Sequence, residues 1–66
     1  MDIIINGEPL QLSTPLSVAA LLEARGLTGK RVAVERNGEI VPRSRHAETL
    51  ISADSRIEIV VAVGGG

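Results

Sequence analysis

The 66-residue chain has no cysteine, phenylalanine, tryptophan or tyrosine. Without cysteine there is no disulfide to staple a small fold and no thiolate zinc site. Nor is there a side chain that can act as a thiol nucleophile or hold a persulfide. Without aromatic rings the core must be built from Ile, Val and Leu, and the usual stacking platform for single-stranded nucleic acid is missing. An excess of one charge is lacking too: seven Lys and Arg against eight Asp and Glu leave a formal charge of −1. Nucleic-acid binding runs on clustered cation–phosphate contacts, so no nucleic-acid partner is expected. No apolar run approaches the ~20 residues that cross a bilayer, so no membrane partner is expected either. The opening "MDIIINGEPLQ" has an acid at Asp2 and only a short apolar stretch, so it is not expected to act as a signal peptide. The expected location is cytoplasmic.

What is present is a set of local signals. A chain this short makes one domain and buries only about 60% of the surface its unfolded form exposes. "MDIII" is β-rich and runs into Asn6-Gly7, the pair that both tolerates positive φ and marks a two-residue hairpin. The expected strands are Asp2–Asn6 and Pro9–Ser13, the second starting at Pro9 or lying at a sheet edge because proline has no N–H. In "STPLSVAALLEARGL" the period changes. Val18, Leu21, Leu22 and Arg25 fall at helical spacing, Ser17 is placed to cap, and Gly26 suits the position past the end. The spacing predicts a helix from Val18 to Arg25 that buries Val18, Leu21 and Leu22. "RVAVER" alternates again, with Val32 and Val34 on one face and Ala33 and Glu35 on the other. Asn37-Gly38 then turns the chain into a short "EIV" that Pro42 stops.

"RSRHAETLIS" has no clean period. Ser44 is expected to cap an irregular turn near Arg45–Glu48, with Leu50 and Ile51 as partial plugs. "RIEIVVAV" reads as the best strand in the chain: Ile57, Ile59 and Val61 share one face, and Glu58, Val60 and Ala62 the other. Its nearly continuous apolar character suits a central position. The order ββαββ, irregular segment, β gives an α+β architecture: one helix on a mixed sheet of four or five strands. First and last strands are expected to be parallel neighbours with the helix in the crossover. That is the β-grasp, or ubiquitin-like, fold.

Side chains that could carry chemistry are few. His46, the only histidine, sits in a polar stretch with Arg43 and Arg45 and is expected to be solvated, with no second His to complete a metal site. Ser13, Ser17, Ser44, Ser52 and Ser55 have no His–acid set in reach and read as caps and turn formers. The carboxylates are dispersed rather than paired in a cleft, so no catalytic residue is expected. Lys30 with Arg31, and Arg36 with Arg43 and Arg45, read first as solvated faces.

The ending "VVAVGGG" is different. Division of the chain into a body, 1–63, and a tail, 64–66, is expected. Glycines have no Cβ, so Gly64, Gly65 and Gly66 can enter a channel too narrow for any side chain. Three extended residues reach at most about 10 Å. That is enough to place a terminal carboxyl inside another protein's active site while the body stays outside.

With a β-grasp body, the opening "MDIIINGE", the helix "SVAALLEARG", the stretch "VAVERNGEIVPRSR" and the glycine end, the chain resembles the ubiquitin-like sulfur carriers, and most closely the ThiS family of thiazole biosynthesis. A C-terminal carboxylate is an anion at neutral pH and resists nucleophiles until it is given a leaving group. The resemblance implies that a ThiF-like adenylating enzyme, using ATP and magnesium, activates Gly66. Sulfur drawn from a cysteine desulfurase then yields a thiocarboxylate, and a ThiG-like thiazole synthase accepts it. The carrier itself would be a protein co-substrate, binding no cofactor and catalysing nothing. Docking on these partners is expected to use the sheet face turned from the helix, with Ile4, Ala33, Val60 and Ala62 forming an apolar patch beside the tail. The rival readings are a carrier like the small subunit of molybdopterin synthase, a β-grasp interaction module, and a modifier joined to lysines through Gly66.

Overall fold

The computed structural model describes residues 1–62. The elements in chain order are β1 (Asp2–Ile5), β2 (Glu8–Gln11), β3 (Leu16–Ser17), α1 (Val18–Ala24), β4 (Val32–Arg36), β5 (Glu39–Val41), a 3-10 turn (Arg43–Arg45), β6 (Leu50–Ile51) and β7 (Arg56–Val61). Five strands form the main sheet in the order β2-β1-β7-β4-β5. β7 is central, parallel to β1 and antiparallel to β4. One helix lies on this mixed sheet, as the residue pattern predicts.

Both hairpins follow from their turn chemistry. Asn6 and Gly7 have φ of 50° and 82°, and Asn37 and Gly38 have φ of 52° and 87°. Two consecutive left-handed residues give the turn whose twist matches the flanking strands. The turn also sets register: Ile5 stands opposite Glu8, and Arg36 opposite Glu39. This explains why β1 stops one residue before the expected Asn6 and why β2 begins at Glu8 rather than Pro9. Proline is tolerated there because β2 is an edge strand.

The helix is capped from two directions. Ser17 Oγ accepts a hydrogen bond from the Ala20 amide at 3.0 Å. The amides of Val18 and Ala19 donate to the carbonyls of Thr49 and His46, both at 2.9 Å. Three of the four orphan donors at the N-terminus thus have partners, two of them supplied by the distant connection before β6. The other end stops at Gly26, with φ of 72°.

The core gathers the inward residues of every layer: Ile3 and Ile5 from β1, Val34 from β4, Val41 from β5, Ile57 and Ile59 from β7, Val18, Leu21 and Leu22 from α1, and Ile51 from β6. Burying each large aliphatic side chain contributes about 1.5–3 kcal/mol, which makes this cluster the main favourable term.

Three expectations about the segment between β5 and β7 are corrected. Ser44 lies inside the 3-10 turn and caps nothing; Pro42 precedes that turn without any side-chain bond. Leu50 and Ile51 are not equivalent plugs. They form β6, which pairs antiparallel with β3 in a second small sheet, so that Ile51 is fully buried while Leu50 stays 59% exposed. His46 is buried, not solvated. Its Nε2 donates to the Val41 carbonyl at 3.1 Å, the only role open to a nitrogen facing a carbonyl oxygen. His46 thereby ties the connection to β5 through its ring and to α1 through its own carbonyl.

Candidate functional site: the outer face of the sheet

The side chains of the main sheet divide by alternation. Residues paired across strands share a face, so the registers give the rows of the face turned from α1. Along β7 these are Arg56 beside Ile4, Glu58 beside Glu35, and Val60 beside Ala33. Glu35 in turn stands opposite Ile40 on β5, which extends the middle row to Ile40, Glu35 and Glu58. Ile40 and Val60 are each 64% exposed, the largest values among the exposed large hydrophobics of the described residues.

Not all the predicted docking residues come together. Ala33, Val60 and Ala62 line one shallow hollow with Arg31, Val32 and Arg43. Ile4 lies on the same face but lines a different hollow, with Asp2, Ile3, Pro9 and Asp54. The register explains the separation. Ile4 stands beside Arg56 and Ala33 beside Val60, four residues further along β7, or roughly 13 Å at the rise of a strand.

β7 runs toward the tail under firm support. Beyond its last residue the Ala62 amide donates to the Arg31 carbonyl at 2.9 Å, so pairing continues to the end of the described chain. On the other side, Asn6 Oδ1 accepts from the Ile59 amide at 2.8 Å. This side chain takes up pairing where β1 ends, since the last β1–β7 pair is Ile5 with Ile57. The predicted tail residues Gly64, Gly65 and Gly66 lie outside the described residues, as does Val63.

The basic residues separate into different roles. Arg31 and Arg43 border the hollow around Val60. Arg36 is used within the body, its guanidinium donating to the Leu50 carbonyl at 3.0 Å. Sequence reasoning missed Ile40, although a signal was there. A two-residue turn at Asn37-Gly38 places 35 opposite 40, and with Glu35 already assigned outward, Ile40 follows. Arg43 had no such signal, because its position depends on the fold of an aperiodic segment.

The face has the properties of a binding surface. Its carboxylates lie on an open sheet, the single histidine is committed to Val41, and no group of three metal-ligating side chains occurs among the described residues. Exposed aliphatic residues cluster beside the end of the central strand, with cations at one margin and carboxylates at the other.

Known proteins place this geometry. A family model described as the ThiS family matches residues 3–66. A thiazole synthase of Paramagnetospirillum magneticum is 44% identical over 66 residues, which is all of this chain and 20% of that protein. The chain thus spans about a fifth of the length of that relative, and the same holds for a thiazole synthase of Magnetococcus marinus, 36% identical with 20% of its length covered. An uncharacterized protein of Porphyra purpurea, ycf40, is 38% identical with 93% of its length covered. Among solved structures, the crystal structure of the thiamine biosynthesis protein ThiS from Geobacter metallireducens matches with a TM-score of 0.84 and 30% identity, both chains covered completely. On the family match, supported by this shared fold, the chain belongs to the ThiS family.

Proposed function

We propose that this chain is a sulfur carrier of thiamine biosynthesis, with Gly66 as the carrying residue and a thiazole synthase as the acceptor. The observation that carries the reading is the family match, which runs through residues 3–66 and so takes in the Gly65-Gly66 pair. The exposed apolar hollow at the end of β7 supports it, because a carrier needs a surface on which a partner can hold it while the tail is handled.

The chemistry asked of the tail is as follows. A carboxylate oxygen of Gly66 attacks the α-phosphorus of ATP on a ThiF-like enzyme with magnesium, and pyrophosphate leaves. The resulting mixed anhydride has a good leaving group. A sulfur nucleophile adds to its carbonyl carbon, and AMP departs with the bonding pair. With bisulfide the exchange is redox neutral and gives the thiocarboxylate directly. With the persulfide of a cysteine desulfurase route an acyl disulfide forms first, and a thiol reduces it to the thiocarboxylate. In this reading the chain is a co-substrate. It supplies a docking surface, a slender tail and one terminal atom, and the acid–base groups belong to its partners.

Incubation with ATP, magnesium, a ThiF-like enzyme and sulfide, followed by intact-mass measurement, tests this. The expected product shows one oxygen replaced by sulfur, and removal of Gly65-Gly66 abolishes it. A chain that stays at its starting mass beside an active control carrier overturns the reading.

A further inference from the structure

The middle row of the outer face holds a feature the fold does not explain. Glu35 and Glu58 are direct cross-strand partners on β4 and β7, and β4·β7 is the longest strand pairing in the sheet. Like charges placed directly opposite one another destabilise a sheet. Glu35 is half-buried and Glu58 exposed. Arg36 does not relieve the pair, since its guanidinium is spent on the Leu50 carbonyl, and Arg56 on the same face stands two residues along β7 from Glu58, opposite neither carboxylate. Aliphatic side chains flank the two carboxylates: Ile40 at one end of the row, and Val60 with Ala33 in the next row toward the tail. Ile40 and Val60 are both mostly exposed.

This arrangement has a chemical complement. A cation set over the carboxylate pair would remove the repulsion, and an apolar stem would cover the flanking aliphatic groups. Arginine combines the two, with a planar fork that can meet two carboxylates and a stem that packs on apolar surface. It is also enriched at the centres of protein interfaces.

We propose that Glu35 and Glu58 receive an arginine side chain of the thiazole synthase, and that this contact sets the register in which the carrier docks. The inference rests on the function proposed above. The choice of thiazole synthase over the adenylating enzyme rests on the relatives of that name, in which the matching 66 residues are one fifth of a longer chain. The charge order along the face restricts where that contact can lie. From the acidic row the face runs toward the tail through Val60 and Ala33 to Arg31 and Arg43, and away from the tail to Arg56 beside Ile4. A partner cation is therefore repelled from both ends of the face and accepted only at the acidic row between them, which fixes the carrier's position along β7.

The experiment compares the wild-type chain with Glu35→Gln/Glu58→Gln, measuring affinity for thiazole synthase and for the adenylating enzyme by titration calorimetry, and thermal stability of each free chain. The double variant is expected to bind thiazole synthase about 30-fold or more weakly and to bind the adenylating enzyme with unchanged affinity. Its midpoint of thermal unfolding stays level or rises, because the like-charge repulsion is gone. A merely structural role for the two glutamates would lower that midpoint instead, and this result would count against the inference. If the wild-type chain binds thiazole synthase and the double variant binds it equally well, the inference fails while the carrier function stands. Weakened binding to the adenylating enzyme alone also overturns it, by assigning the contact to the other partner. A wild-type chain that forms the thiocarboxylate yet does not bind thiazole synthase overturns the acceptor assignment together with the inference.

Discussion

The two faces of β7 use the same kind of side chain to opposite ends. Ile57 is completely buried and Ile59 nearly so, while Val60, their neighbour on the other face, is 64% exposed. The inner residues are accounted for within the chain, because α1 and β6 lie over them. The outer ones have no such cover among the described residues. Hydrophobicity alone therefore does not distinguish a folding residue from a docking residue in this strand. The distinction is made by which side of the sheet the helix occupies, and that is fixed by the direction of the β1–α1–β7 crossover.

The comparison is most strongly tested at Ile57. Ile57→Ala empties space at the centre of the core and should cost about 2–5 kcal/mol. A domain of this size has about 3–5 kcal/mol in hand, so the variant is expected to be largely unfolded at 37 °C by circular dichroism. A cooperative melt near the wild-type midpoint would break the assignment of inner face to stability. Next in size, Val60→Asp should weaken binding to both the adenylating enzyme and the thiazole synthase about tenfold or more. Its stability should stay within about 1 kcal/mol of wild type. Retained affinity for both enzymes would show that the hollow around Val60 is not the docking surface. Ser17→Ala removes one of three caps that hold α1 over the inner face. The expected loss is about 1 kcal/mol, read as a midpoint about 4–8 °C lower with partner affinities unchanged. The smallest effect is expected at Ile4→Thr, which keeps a β-branched residue in the hollow remote from the tail. Affinity for either enzyme should change by less than about threefold. A loss as large as that of Val60→Asp would extend the docking surface across the whole sheet.

The parts of the fold written in short-range signals were legible from the residues. Asn6-Gly7 and Asn37-Gly38 fix both hairpins because only two residues are needed to make the turn. The helix was legible because Ser17, the Val18–Leu22 spacing and Gly26 lie within one window. The β7 alternation, and with it the division of Ile57 and Ile59 from Val60 and Ala62, followed from period alone. The segment from Pro42 to Ile51 was not legible. Its structure consists of long-range debts settled elsewhere: His46 and Thr49 carbonyls capping α1, the His46 ring bonded to Val41, and a two-residue ladder between β3 and β6. None of these leaves a period in the sequence. The candidate site was legible to the same degree. Ala33, Val60 and Ala62 were placed together by alternation, whereas Ile4 was grouped with them by face without regard to its position along the strand. The glycines proposed to carry the chemistry are known here from the sequence alone.

The central placement of β7 has a mechanical consequence. The strand leading to the tail is bonded along both edges, to β1 and Asn6 on one side and to β4 and Arg31 on the other. A pull along its axis loads these rungs together, in shear, instead of peeling them one at a time. An enzyme that tugs on the glycines can therefore draw the whole body against its surface without unravelling it.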